Sequence, residues 1–270
     1  MMKSNNIRVA VLADTHHDKE QAAAVARLLI DNGYASYYTI GTMNEMTRTR
    51  GVMVVWDIKE VQVKENGGET LEEGRIVKVG IELIRDGRKL TVLGVYMPVR
   101  SEANRDEVEH SWDVLDDALT YEMGEVAVGG DLNAETPEWR DTRGAKHATL
   151  ADRKIEEVIK RHELVPKARG ATYRAGTQID NWLVSSSLDA HLGTARTLPG
   201  VCGLDHYAVL VTYYADVEPI INRIERPMGS VAKRMSKDHI VAWKEGVFEF
   251  VEDAIREYET QEETPDWGGK

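Results

Sequence analysis

Residues 125–134 read EVAVGGDLNA, a short apolar run followed by two glycines, an aspartate and an asparagine. The run 125–128 is typical of a buried strand, and Gly, Asp and Asn favour a turn directly after it. The sequence therefore predicts that Asp131 and Asn133 follow the end of a core strand. Taken alone, the motif is more simply explained as an ordinary turn.

On either side of this stretch, further apolar runs predict a mixture of strands and helices. Asp86-Gly87 between two of these runs predicts a β-hairpin. The elements mix without strict βαβ alternation, which favours an α/β sandwich of two mainly antiparallel or mixed sheets with helices outside. The predicted strands are 7–13, 51–56, 75–84, 89–96, 125–128, 179–185 and 208–213, and the predicted helices are 19–32, 106–119 and 153–161.

The composition excludes several classes of protein. With 42% hydrophobic and 30% charged residues, the 270-residue chain can bury a core, which excludes a wholly disordered or collagen-like protein. No apolar run approaches the roughly 20 residues of a membrane span. The single cysteine, Cys202, fits a reducing compartment, and residues 1–6 show no signal-peptide pattern. We therefore expect an intracellular protein, nuclear or cytoplasmic, that does not contact membranes.

The net charge of −12 argues against one mode of nucleic-acid binding. So acidic a chain is poorly suited to clamp nucleic acid through phosphate neutralisation alone. It is better suited to gather carboxylates around a divalent cation, which then supplies the local positive charge.

Four acidic motifs follow predicted strands, where loops can converge on one site. Carboxylates together with a histidine and an asparagine are what phosphodiester hydrolysis requires. A hard cation takes oxygen ligands, a base takes a proton from water, and donors stabilise the phosphoryl oxygens. The motifs are 12–17 (LADTHH), 130–134 (GDLNA), 178–182 (QIDNW) and 204–207 (LDHY).

Simpler explanations exist for these motifs when each is taken alone. Asp14 or Thr15 is a candidate N-cap for the helix predicted from Lys19, and Asp205-His206 resembles an ordinary surface pair. His16 and His17 suggest zinc, but no third ligand follows at helical spacing, so we discount a zinc site.

The order of the motifs resembles that of the endonuclease/exonuclease/phosphatase superfamily, the DNase I-like proteins. Within this superfamily, the motifs are most similar to those of the endonuclease domains of non-LTR retrotransposons. The resemblance implies a four-layer α/β sandwich over 7–214, with two mixed sheets flanked by helices. The matching segments are 12–16 (LADTH), 50–55 (RGVMVV), 95–98 (VYMP), 129–134 (GGDLNA), 177–185 (TQIDNWLVS) and 204–210 (LDHYAVL).

The resemblance also implies a catalytic cation, Mg²⁺ or Mn²⁺, and a base. Asp14 would bind this cation, and Asp205 would lie close to both the metal and the phosphate. Asp131 would orient or deprotonate the attacking water.

Four further roles at the phosphate follow from the same resemblance. Asn133 would hold the phosphate, and the Tyr96 hydroxyl would contact it. His206 would contact the scissile phosphate, while Asp180 would fix the orientation of that imidazole.

The sequence departs from the family pattern in several places. Asp14 stands where the family has glutamate, Gln178 where it has arginine, and Tyr207 where a small or basic residue is common. The family's first strand, which ends in Trp-Asn-Val or similar and supplies an asparagine, has no counterpart before residue 7. We therefore expect strand 7–13 to have an open edge that a partner protein or the C-terminal segment covers.

A domain boundary is predicted near Ala215, where the strand patterns end. The predicted segment 215–270 is a linker followed by an amphipathic helix containing Trp243 and Phe248. This helix either packs on the domain or binds a protein partner.

The leading hypothesis is a metal-dependent phosphodiesterase acting on nucleic acid, specifically a DNA-nicking endonuclease of retroelement type, with DNA favoured over RNA. A lipid or inositol phosphatase or a sphingomyelinase is the rival within the fold, but no pattern indicates those head groups. An alternative from a different functional class is a catalytically degenerate family member that serves as a binding or assembly module. The retained polar residues of the four motifs argue against degeneracy, because nothing structural requires most of them.

Overall fold

The structure is a computed structural model that describes residues 2, 5–44, 47–99, 104–145, 147–198 and 205–215. Met1–Asp216 forms one compact unit. The predicted C-terminal helix lies outside the described residues, and the division into 7–214 and 215–270 stays a prediction. No helix among the described residues is long and apolar enough to cross a membrane.

The first part of the chain builds a three-stranded sheet in the order β1-β5-β2. Both strand pairs in it are antiparallel, in agreement with the predicted mainly antiparallel or mixed sheets. Its central strand alternates its side chains between two apolar clusters. The elements are β1 (Val9–Ala13), α1 (Lys19–Asp31), β2 (Tyr34–Thr39), the hairpin β3 (Thr42–Asn44) and β4 (Thr47–Thr49), and β5 (Val52–Asp57).

The rest of the described chain builds a six-stranded sheet in the order β10-β11-β9-β8-β7-β6. Strands β8 and β9 run parallel because α2 connects them as a crossover, and the remaining pairs are antiparallel. This sheet is mixed, as predicted. Its strands are β6 (Val61–Glu72), β7 (Ile76–Leu83), β8 (Lys89–Tyr96), β9 (Glu125–Asp131), β10 (Leu164–Pro166) and β11 (Asp180–Ser185).

Helices and two short strands complete the described fold. The hairpin predicted at Asp86-Gly87 is present, with the Leu83 and Gly87 N–H groups donating to the Arg88 and Leu83 carbonyl oxygens at 2.8 Å each. The remaining elements are α2 (Arg105–Thr120), α3 (Pro137–Arg143), α4 (Leu150–Arg161), α5 (Ser186–Asp189), β12 (Arg196–Leu198) and β13 (Ala208–Leu210).

Side-chain alternation stacks these elements in four layers. Val52 and Val54 of β5 pack in the apolar cluster between the two sheets. Met53 and Val55 point the other way and pack with Leu29 of α1. On the far side of the large sheet, α2 and α4 bury their apolar faces around Trp112, which is fully buried. The predicted four-layer α/β sandwich is confirmed.

Strand β9 continues three residues beyond its predicted end at 128, and two glycines make this possible. A Cβ at Gly129 would lie 2.5 Å from the Trp182 ring. Gly130 has a φ of 137°, and a Cβ there would lie 2.0 Å from the Val95 carbonyl oxygen. Because glycine tolerates both conditions, the strand delivers Asp131 as its last residue rather than placing it in a loop.

The N-cap of helix α1 differs from the one expected from the sequence. Its N-cap is Asp18, whose carboxylate accepts the Gln21 N–H at 2.8 Å, while the Gln21 side chain accepts the Asp18 N–H at 3.0 Å in a capping box. The alternative that Asp14 or Thr15 is the cap is therefore wrong.

Candidate active site

Three of the predicted site residues lie side by side at the ends of adjacent strands. Asp131 of β9 is in register with Tyr96 of the parallel strand β8 and with Asp180 of the antiparallel strand β11. Side chains directly opposite one another on neighbouring strands lie close together. Residues separated by 84 positions of sequence therefore meet at one edge of the large sheet.

The surroundings of Asp131 oppose its negative charge. The residue is 6% exposed. Burial, and then the neighbouring Asp180 carboxylate, raise the pKa of Asp131 to about 7, although the Asn133 N–H and His206 act in the opposite direction. A carboxylate with a pKa near neutrality is suited to take a proton from water.

Asn133 holds the Asp131 carboxylate in place. It has a positive φ of 46°, and its backbone N–H donates to Asp131 Oδ1 at 2.9 Å. Its side-chain nitrogen donates to the Met97 carbonyl oxygen at 2.8 Å and to Asp131 Oδ2 at 3.3 Å. Both amide hydrogens are thus directed at the protein, and the prediction that Asn133 holds the phosphate stays a prediction.

His206 is paired with Asp180. Its Nδ1 lies 3.0 Å from Asp180 Oδ2 and 3.1 Å from Oδ1. This hydrogen bond is the main cause that raises the pKa of His206 to about 9, against the opposing effect of burial. The imidazole is therefore cationic at neutral pH, and Nε2 is the ring nitrogen left for a substrate oxygen.

Asp14 joins the site through Tyr96. The Tyr96 hydroxyl hydrogen-bonds to the Asp14 carboxylate, and burial together with Asp14 raises the pKa of Tyr96 well above its usual value. Asp14 Oδ1 also accepts the Arg50 N–H at 3.1 Å and lies 2.7 Å from His16 Nε2. Asp14 has a positive φ of 54°, which aspartate tolerates better than most residues.

Asp205 lies beside His206 at the rim. It acts on His206 electrostatically, and its carboxylate lies 3.7 Å from Arg174 Nε. The Asp205 side chain is 40% exposed and that of Arg174 is 70% exposed, so this ion pair faces solvent.

A cation fits the carboxylates of this site better than its imidazole. Ligand atoms of Asp131, Asp180 and His206 lie within 4.8 Å of one another, close enough to hold a metal ion together. However, the protonated His206 ring has no lone pair to offer, whereas Asp131 is repelled by both Asp180 and Asp14. A hard divalent cation among carboxylate oxygens would relieve this repulsion.

Two buried residues that support the site were not identified from the sequence. Thr172 is fully buried beside Asp180 and accepts its backbone N–H at 2.9 Å. Arg75 donates to the Tyr96 carbonyl oxygen at 3.0 Å, and its guanidinium lies 5.5 Å from the Tyr96 ring centre. Only their positions in the sequence could have indicated these residues. Thr172 stands shortly before Asp180, and Arg75 is the first residue of a predicted strand.

Gln178, which stands where the family has arginine, is buried and hydrogen-bonded. Gln178 is 2% exposed, accepts the Thr136 hydroxyl at 3.2 Å and donates to the Gly170 carbonyl oxygen at 3.0 Å. The Gln178 side chain therefore links the segment that contains Thr136 to the segment that contains Gly170.

No protein-family model matches the sequence, and no curated protein matches it. Solved structures do match the fold. An AP endonuclease from Leishmania major aligns with a TM-score of 0.63 and 16% identity, over 79% of this chain and 80% of that chain. The endonuclease domain of a telomere-specific non-LTR retrotransposon aligns with a TM-score of 0.57 and 14% identity, over 79% and 88%. The chain has the DNase I-like fold.

A third DNase I-like structure is similar to a comparable degree. A 3′ phosphatase from Neisseria, bound to a product DNA hairpin, aligns with a TM-score of 0.56 and 15% identity, over 78% of this chain and 91% of that chain. At these identities, the comparisons establish the fold.

Proposed function

We propose that this protein hydrolyses phosphodiester bonds in nucleic acid with a divalent cation, as a DNA-nicking endonuclease of retroelement type. The observation that carries the proposal is the pairing of a near-neutral carboxylate with a cationic imidazole. Asp131 and His206 supply them within one cluster at a sheet edge. Phosphodiester hydrolysis needs such a base and such a donor together.

The proposed reaction begins with a water molecule next to Asp131. As the water oxygen forms a bond to phosphorus, its proton passes to the Asp131 carboxylate. The cationic His206 donates a hydrogen bond from Nε2 to a phosphoryl oxygen and so stabilises the charge that accumulates there. The bond from phosphorus to the leaving sugar oxygen breaks, and that oxygen acquires a proton from solvent.

Other residues position these two groups. Asp180 holds the imidazole through Nδ1, and Asn133 holds the Asp131 carboxylate. We propose that the Tyr96 hydroxyl, which hydrogen-bonds to the Asp14 carboxylate, contacts the phosphate.

The proposed cofactor is Mg²⁺, with Mn²⁺ as a substitute. Asp14 would hold it, and Asp205 stays the predicted second carboxylate. The cation would neutralise phosphate charge and polarise the P–O bonds. It would also offset the negative field that a protein of net charge −12 presents to a polyanion.

Two observations support the proposed substrate class: the solved structures that share the fold, and the residues of the site. One aligned structure is bound to a DNA hairpin, and the others are an AP endonuclease and a retrotransposon endonuclease domain. We infer that DNA is the preferred substrate over RNA.

The direct test is nicking of a supercoiled plasmid with added Mg²⁺ and with a chelator. We expect Mg²⁺-dependent nicking that falls by at least about 10²-fold in Asp131→Asn and in His206→Gln, since each removes one half of the acid–base pair. The controls are Asp117→Asn and His110→Gln, because both residues lie exposed on α2. An RNA of the same sequence should be cleaved more slowly than the DNA.

Two results would contradict the proposal. Equal nicking by the wild type and Asp131→Asn would indicate a contaminant. No cleavage by a folded wild-type protein with either Mg²⁺ or Mn²⁺ would favour the catalytically degenerate binding module.

A further inference from the structure

One turn contacts both partners of the Asp180–His206 pair and has no role in the proposed chemistry. It spans residues 172–177 and is closed by the Thr172 N–H, which donates to the Thr177 carbonyl oxygen at 2.9 Å. The turn begins at Thr172, which is fully buried although its side chain is polar.

On one side, the Thr172 hydroxyl holds the backbone that carries the carboxylate. Its Oγ1 accepts the N–H of Ile179 at 3.0 Å and the N–H of Asp180 at 2.9 Å. Two successive backbone donors thus converge on a single side-chain oxygen at the start of β11. This oxygen therefore holds the backbone at the start of β11, where Asp180 is also paired with Asp131 of β9.

On the other side, the same turn holds the backbone that carries the imidazole. The Thr172 carbonyl oxygen accepts the Tyr207 N–H at 2.6 Å, and the Asp205 carbonyl oxygen accepts the Arg174 N–H at 2.9 Å. Tyr173 forms an antiparallel bridge with His206, and the two ring centres lie 4.9 Å apart.

We propose that Thr172 is a positioning residue for the Asp180–His206 pair, and that its hydroxyl fixes where the carboxylate meets the imidazole. Without the hydroxyl, two partly buried N–H groups lose their shared acceptor, and we expect the backbone to move as they find other partners. The displacement changes the Asp180–His206 contact, because the Thr172 backbone remains tied to the His206 segment. The catalytic consequence rests on the proposed nuclease function, whereas the structural consequence does not.

The test compares Thr172→Val, which replaces the hydroxyl by a methyl group, with Thr172→Ser, which keeps the hydroxyl. The first readout is the downfield proton resonance of the His206 Nδ1–H in the full-length protein, assigned by its loss in His206→Gln. We expect this resonance to shift or disappear in Thr172→Val and to be retained in Thr172→Ser. Thr120→Val is the control, because its exposed hydroxyl donates only to the Asp116 carbonyl oxygen of its own helix.

The second readout is plasmid nicking. We expect kcat of Thr172→Val to fall by about 10-fold to 100-fold, since a misplacement of about 1 Å caused by a remote mutation can cost about 10²-fold, with KM retained and with Thr172→Ser restoring kcat.

The proposal is overturned if Thr172→Val lowers the melting temperature but keeps the His206 resonance, or if Thr172→Ser is as defective as Thr172→Val. If the wild type does not nick DNA, the proposed function fails, and the resonance alone decides the role of Thr172.

Discussion

Asp131 illustrates how single residues acquire their chemistry from their neighbours. An exposed aspartate is ionised at neutral pH and is a weak base. Here, burial and the Asp180 carboxylate hold the pKa near 7, so that the group gains basicity while a large fraction remains deprotonated. The same Asp180 carboxylate has the complementary effect on His206 and keeps its proton in place.

The two residues together predict a pH dependence of the nicking rate. The active base is deprotonated Asp131, so kcat/KM should rise as the pH passes upward through about 7. The active donor is protonated His206, so kcat/KM should fall as the pH passes upward through about 9. Because a bound cation favours the carboxylate form, the acid limb should move to lower pH as the Mg²⁺ concentration increases. A rate that stays constant through both values would contradict these roles.

At the scale of elements, the end of β9 is the feature on which the site depends. Asp131 faces Tyr96 and Asp180 only because the strand continues through Gly129 and Gly130. The first glycine accommodates the Trp182 ring, and the second approaches the backbone of β8. The paired glycines therefore have a packing role that a simple turn would not require.

We predict that Gly130→Ala destabilises the protein and impairs the site. The added Cβ meets the Val95 carbonyl oxygen, and a positive φ disfavours alanine, so the free energy of unfolding should fall by at least about 1 kcal/mol. Gly124→Ala is the matched control, because its Cβ would meet no atom within 4 Å. Urea denaturation measures both variants, and equal midpoints would show that the strand pair does not need glycine here.

The sequence allowed some elements to be predicted and hid others for physical reasons. Strands β5 and β8 are apolar on both faces because they lie between two packed layers, and both were predicted. Strand β2 reads YASYYT and β6 contains Glu, Asn and Gly within its 12 residues, so neither stands out as an apolar run. The short strands β10 and β12 have three residues each, too few to show a period.

At the scale of the whole molecule, the topology brings motifs from distant parts of the chain to one edge. Asp131 and Asp180 were identified because each follows an apolar strand within a recognisable motif. Thr172 was missed because a buried threonine among Gly and Ala carries no local pattern, and its role depends on two other segments. In the proposed function, a cation bound at this acid-lined site would offset the net charge of −12 that the protein presents to a polyanionic substrate.

A crystal structure of the protein with Mn²⁺, located by its anomalous scattering, is the decisive measurement. We expect a Mn²⁺ ion bonded to the Asp14 carboxylate and adjacent to Asp131, with His206 still paired to Asp180. A structure in which Asp131 and His206 are folded as described, but Mn²⁺ binds elsewhere or is bonded to the His206 ring, would contradict this expectation.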